Sequence, residues 1–495
     1  VDLWVDLSAR GNRTAAIYRA LVQAIGDGRL RAGDRLPPMR ALAADLGVSR
    51  TTVATAYERL TAEGYLAGRV GAGSFVTAAA ATVPAPAGPA ATDTAPGGDV
   101  APAATAPIAL RPKTSWDFLP DATSSRDGPL WADFRVGLPD PTLFPFDAWR
   151  RLISNELRLR SRSPGTYDEP AGDPALREAV AGHLGRSRSM RAMPDDILIT
   201  NGTQQGLDLL ARVLLEPGDV VALEDPGYDR ARELFRSHGA TVTAVPVDAE
   251  GIVVQRIPPQ ARLVFSTPSH QFPLGIPMSL QRRRELLQWA AERDAVIVED
   301  DYDSEFRFAA RPLEPLHALD RSGRVIYAGT FSKSLLPTLR MGYLVAPPSL
   351  VPALRAARQL ADWHGVTALQ SALAAFITEG LLAGHLRRAS AVYRRRREAM
   401  LSGIDEHLGE WLEAVPSAAG LHLTARLRPG VSLRSADIVG PARAAGIGFE
   451  GLAAHFAGPA TVDGLVLGYG TAQLDSIDGG LAGIARLVRR FASSP

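Results

Sequence analysis

Only two lysines occur in the 495 residues, Lys113 and Lys333; every other basic side chain except histidine is arginine. A guanidinium stays protonated, so chemistry that needs an amine nucleophile has little choice of residue. Lys333 ends the run Thr330-Phe331-Ser332-Lys333, with Arg340 seven residues on. An amine beside two hydroxyls and a guanidinium suits a molecule carrying both an aldehyde and a phosphate. Lys333 would form the Schiff base, and Thr330, Ser332 and Arg340 would hold the dianion. In Val298-Glu299-Asp300-Asp301-Tyr302, Asp300 is the acid expected to pair with a protonated pyridine nitrogen, with Tyr302 near a ring oxygen. Asp301 is the alternative acid, and either carboxylate would serve equally as a helix N-cap. Gly202-Thr203-Gln204-Gln205-Gly206 opens a helix whose first amides and Thr203 suit a phosphate. Tyr228 suits ring stacking, or a place in the core.

These residues sit where apolar strands meet helices. Strands are expected over 197–200, 220–224, 263–267, 295–299 and 325–328, with helices from Gln204, Tyr228 and Leu280. Such alternation predicts an α/β domain with a mostly parallel sheet, helices on both faces, and ligands at the strands' carboxyl ends. Beyond about residue 350, long helices followed by a strand-like stretch over 420–426 predict a smaller C-terminal α+β subdomain.

A separate constellation lies near the N-terminus. Helices are expected over 14–25, after Pro37-Pro38, and over 50–63, with a hairpin over 65–77: a winged helix-turn-helix. Gly47 supplies the turn and Ser49 caps a helix beginning Arg50-Thr51-Thr52, where base edges and phosphates of double-stranded DNA would be met. Arg40 would approach the DNA backbone, and Arg69 with Gly71 and Gly73 would form a wing tip for a minor groove. Ordinary surface arginines on a helical hairpin are the bland alternative. Residues 1–77 carry ten Arg against seven Asp and Glu, a weak preference for a polyanion.

Bulk composition bounds the rest. The chain is too long for one core. Almost nothing but Ala, Pro, Thr and Gly fills 78–107, so a disordered tether is expected over 78–114, dividing a head (1–77) from a body (115–495, itself split near 350). With no cysteine and no histidine pair at ligand spacing, disulfides are excluded and a metal site is not expected. No long apolar run or signal peptide is evident, so no membrane partner and a cytoplasmic location are expected.

Residues 14–77 resemble the GntR family of repressors, through Leu36-Pro37-Pro38-Met39-Arg40, Gly47-Val48-Ser49-Arg50-Thr51-Thr52-Val53 and Gly71-Ala72-Gly73-Ser74-Phe75. About Phe134 to Phe491 resembles the fold-type I aminotransferases. There Lys333, Asp300, Tyr228, Thr203, Gln204, Thr330, Ser332 and Arg340 fall at positions that bind pyridoxal 5'-phosphate. Tyr167, in Tyr167-Asp168-Glu169-Pro170-Ala171-Gly172, falls at the tyrosine that reaches the neighbouring subunit's phosphate, which implies a homodimer. The order of head and body resembles the MocR subfamily of GntR regulators, as does Ser269-His270-Gln271-Phe272-Pro273. The resemblance implies a regulator of operator DNA that senses pyridoxal phosphate itself, or an amine or amino acid arriving at it. A working aminotransferase carrying a DNA head is the rival. Two departures weigh against catalysis: Phe272 replaces the family's asparagine, and 450–456 lacks the arginine that forks a substrate carboxylate, leaving His455 as a weaker substitute with a core or surface place expected for it. Arg230 would be an alternative anion clamp, or an exposed helix arginine.

Overall fold

The computed structural model describes residues 13–69, 72–78, 116, 129–160, 165–308, 314–417 and 419–492. The chain divides into two compact units, Val1–Ala109 and Leu110–Pro495. From residue 79 onward the expected tether lies outside the described residues.

In the first unit, α1 (Arg13–Gly26), α2 (Met39–Asp45) and α3 (Arg50–Ala62) precede a hairpin of β1 (Leu66–Arg69) and β2 (Gly73–Val76). Ile17, Leu21, Leu42, Val53, Tyr57 and Leu60 repeat at helical spacing and bury together, which fixes the three helices on one core. Gly47 takes φ +60° between α2 and α3, a conformation that costs a side-chain-bearing residue. Ser49 then caps α3, its hydroxyl accepting from the Thr52 N–H at 3.2 Å. The hairpin pairs Leu66 with Val76 and Arg69 with Gly73.

The second unit opens with β3 (Ala132–Asp133), α4 (Phe146–Arg160) and α5 (Pro174–Arg188). Next come β4 (Ile197–Thr200), α6 (Thr203–Leu214), β5 (Val220–Asp225), α7 (Asp229–Ser237), β6 (Thr241–Asp248) and β7 (Gly251–Ile252). The series continues through β8 (Ala261–Ser266), α8 (Leu280–Arg293), β9 (Val296–Asp301), α9 (Leu316–Leu319), β10 (Val325–Thr330) and β11 (Gly342–Val345). These strands form one sheet in the order β4-β11-β10-β9-β8-β5-β6-β7. Strands β6, β5, β8, β9 and β10 pair in parallel, while β11 runs antiparallel to both its neighbours. The central strands are buried along nearly their whole length, as two helix-covered faces require. Because β11 is reversed, its start at Gly342, opposite Thr200 and Thr330, lies at the end where the parallel strands finish. Arg340, two residues earlier, therefore reaches the same rim.

Three helices follow, α10 (Val351–Asp362), α11 (Thr367–Thr378) and α12 (Leu381–Gly403). Then come β12 (Leu412–Ala414), β13 (His422–Leu427), α13 (Ser435–Ala444), β14 (Ile447–Gly448), β15 (Glu450–Gly451), β16 (Gly464–Gly468) and α14 (Leu474–Ala492). An antiparallel sheet β12-β13-β16-β15 forms the C-terminal subdomain, with a core that includes Leu423, Leu465, Leu481 and Ile484. Strand β3 pairs in parallel with β14, tying the segment before α4 to that subdomain.

Candidate functional site

At the carboxyl ends of the parallel strands lies a cavity of about 450 Å³, within the roughly 300–1,000 Å³ usual for small-molecule sites. Thr203, Gln204, Tyr228, Asp300, Tyr302, Thr330, Ser332, Lys333 and Arg340 all line it. Thr330 is the last residue of β10, so the turn after it delivers Ser332 and Lys333 to the rim. Lys333 donates from Nζ to the Gly137 carbonyl at 2.6 Å. Gly137 holds φ +76°, and a Cβ there would stand 2.5 Å from Nζ, so the contact needs glycine. At the other end, Gly202 precedes the first residue of α6 with φ +83°, and a Cβ on it would meet the Arg340 guanidinium at 2.7 Å. Arg340 donates to the Asn201 carbonyl at 2.9 Å, which sets its guanidinium beside the amino end of α6. Positive charge, free helix amides and three hydroxyls are groups that could hold a phosphate at this end.

Two carboxylates adjacent in β9 have opposite fates. Asp301 accepts from Tyr327 at 2.6 Å and also from Arg188 and Ser304, so it is consumed in a buried ion-pair network. Asp300 is equally buried, but its Oδ1 has no hydrogen-bond partner among the described residues and its side chain lines the cavity. Burial pushes the Asp300 carboxyl up to about 7, against a pull downward from Lys333. Burial also lowers the Lys333 ammonium, with Asp303 and Asp300 resisting. A lysine so shifted is more often the free amine, the form that attacks carbonyls. The Tyr228 ring meets Phe272 edge-on, with centroids 6.1 Å apart. Tyr302 donates to or accepts from His270 Nδ1 at 3.1 Å. Tyr167 is exposed, outside this cavity, and stacks on Trp363 with centroids 4.5 Å apart.

A buried acid without a partner and an amine in one cavity, with hydroxyls, helix amides and a guanidinium at the strand ends, are the kinds of group that pyridoxal phosphate needs. On the first unit, Arg40, Arg50 and Thr51 are exposed at the helix-turn-helix, and Thr52 is half-buried behind the Ser49 cap. Arg40 and Arg50 form no ion pair among the described residues. Arg69 lies over the Phe75 ring at 4.9 Å, and Gly73 is exposed in the wing, whereas Gly71 falls outside the described residues.

The family of bacterial regulatory proteins of the gntR type matches residues 13–76, and the class I and II aminotransferase family matches residues 138–437. The probable rhizopine catabolism regulatory protein MocR of Rhizobium meliloti is 38% identical over 92% of this chain and 89% of its own. The chain belongs to the MocR-type GntR regulators. The pyridoxine biosynthesis regulator PdxR of Corynebacterium glutamicum is 30% identical over 94% of this MocR-type chain and 93% of its own. The body superposes on kynurenine aminotransferase from Pyrococcus horikoshii with a TM-score of 0.68 and 29% identity, covering 73% of this chain and 91% of that one.

Several wall residues of this MocR-type body carry no local sequence signal. Asp303, His422 and Glu450 line the cavity from three separate stretches of chain. His455 and Arg230 also line it: His455 is buried, and Arg230 is exposed on α7, the helix-surface place expected of it. Buried His270, Asp303 and His422 bring their ligand-type atoms within 4.8 Å of one another, a grouping that sequence spacing does not show. Hydrogen bonds within the protein already occupy it: His270 to Asp303 at 3.0 Å and to Ser417 at 3.0 Å, and His422 to the Pro273 carbonyl at 2.9 Å. Burial pushes His422 down to about 3, which keeps its imidazole neutral. Among the described residues no helix is long and apolar enough to cross a membrane.

Proposed function

We propose that this MocR-type regulator carries pyridoxal phosphate on Lys333, works as a homodimer, and alters its hold on operator DNA when a small molecule occupies the cofactor cavity. The observation that carries this reading is the unpartnered Asp300 Oδ1, buried in the cavity that Lys333 shares. A buried acceptor without a partner costs about 1–3 kcal/mol or more, and a protonated ring nitrogen would relieve that cost. Asp300 would hold this nitrogen and Tyr228 a ring face, with Tyr302 at the ring oxygen. Thr203, Gln204, Thr330, Ser332 and Arg340 would hold the phosphate, joined by Tyr167 of a second copy. When bound, the cofactor supplies an aldehyde that condenses with amines and a ring that withdraws electrons. Lys333, its ammonium destabilised by burial, offers and reclaims a proton at Nζ. Phe272 keeps water from one side of the ring's place.

The names of the relatives favour small-molecule sensing over metabolic catalysis, and they point to two kinds of signal, a catabolised compound and vitamin B6. The deciding experiment incubates the protein with pyridoxal phosphate, reduces it with borohydride and maps the label. Label on Lys333 in the native protein is expected, and none in Lys333→Ala, which should still bind operator DNA through its own folded head. A native protein that takes no label refutes the cofactor reading.

A further inference from the structure

Once the cofactor's needs are met, the charges left in the cavity wall bear on which ligand it can take. Two guanidiniums line the cavity. Arg340 is fixed at the phosphate end by the Asn201 carbonyl, and Arg230 pairs with Glu233 of its own helix at 3.0 Å. Asp303 is taken up by His270. On the opposite wall, β15 and the turn after it contribute Glu450 and His455. His455 is over nine-tenths buried, and its Nε2 stands 3.2 Å from Glu450 Oε2 without a hydrogen-bond partner. Phe272 packs edge-on against the same imidazole, centroids 5.1 Å apart, and closes the apolar side. Glu450's charge acts on the Lys333 ammonium, so this wall and the amine share one space. A carboxylate entering here would meet Glu450, and of the two lining arginines one is held at the phosphate end and the other would have to leave Glu233 to fork it, a juxtaposition that costs affinity.

We infer that the effector is a primary amine bearing no carboxylate, whose far end donates a hydrogen bond to Glu450 from a hydroxyl or a second ammonium, with His455 holding that carboxylate in place. The inference rests on the cofactor reading above and narrows it to a ligand class.

The test uses full-length protein loaded with pyridoxal phosphate, its loading checked first by borohydride label on Lys333. Calorimetric titrations then compare three probes of one length: 1,4-diaminobutane, 4-aminobutan-1-ol and 4-aminobutanoate. At least one carboxylate-free probe should bind about tenfold or more tightly than 4-aminobutanoate, and whichever wins identifies the donor as ammonium or hydroxyl. Glu450→Gln should weaken that winner by about ten- to a hundredfold, the usual worth of a hydrogen bond to a charged acceptor, while keeping the label that shows it folded. Glu450→Arg should reverse the order in favour of 4-aminobutanoate. Equal or tighter binding of 4-aminobutanoate to the native protein overturns the inference, as does a winner indifferent to Glu450→Gln, or no binding of any probe. In each of those cases label on Lys333 leaves the cofactor reading standing. Absence of label sinks both.

Discussion

Asp300 and Asp301 are neighbours on β9, yet the partners each finds decide what its loss should do. Asp301→Asn leaves Arg188 buried against a neutral group, and breaking such a pair costs about 3–5 kcal/mol, to be read as a lower urea midpoint for the body. Asp300→Asn breaks no hydrogen bond of Oδ1 among the described residues, so the fold should persist while pyridoxal phosphate binds about ten- to a hundredfold more weakly. Its effect on pH dependence has a definite sign. The folded carboxyl, at about 7, sits above its unfolded value of roughly 4, so the folded state binds more protons between the two. Stability of the cofactor-free protein from this group is full below about pH 4 and is lost as pH rises to about 7. Thermal melts should show that slope flattened in Asp300→Asn. Gly137→Ala should abolish borohydride label on Lys333 without unfolding the body, because the new methyl falls where Nζ rests. Sequence marks Lys333 by its rarity and Asp300 by its strand-end motif. It names Asp300 first with Asp301 as the alternative, but the physical reason for the difference, Arg188 arriving from α5 over a hundred residues away, is not local. Nor could it find Glu450 and Asp303, which reach the cavity only through tertiary folding.

Elements were legible where their signals are local. The turn at Gly47, the cap at Ser49 and the apolar repeat of α3 lie within one short stretch, and α3 begins at Arg50 as expected. Ser49→Ala should destabilise the head by about 0.5–2 kcal/mol, measured by its own melting. Arg50→Ala leaves the helix intact and should cost about 1–3 kcal/mol of operator affinity if Arg50 forks a base; an unchanged footprint retires it from that role. The strand at β11, Gly342–Val345, escaped notice because it breaks the alternation of strand and helix: only a short turn around Pro337–Leu339 separates it from β10. Its reversal matters more than its length, since it returns Arg340 to the phosphate end. Strand β6 escaped for another reason: near the sheet edge only Val245 is fully buried, so its pattern is mostly that of surface.

At the scale of the whole molecule, two compact units correspond to the two family matches. The tether rests on composition and the homodimer on resemblance, and residues 79–115 lie outside the described chain. Tyr167 offers the test of assembly. It is exposed, away from its own cavity, so if a second copy's phosphate is its target, Tyr167→Ala should speed loss of pyridoxal phosphate from the dimer without lowering body stability. Cofactor retention equal to that of the native protein would remove the tyrosine from the site. The strap of residues 132–137 joins two things that sequence keeps far apart. Its start is zipped to β14, Phe134 exchanges backbone hydrogen bonds with Gly448 and Gly468, and its end is the carbonyl that grips Lys333. Because one short strap makes both sets of contacts, a displacement of the C-terminal subdomain should carry with it the carbonyl that Lys333 meets.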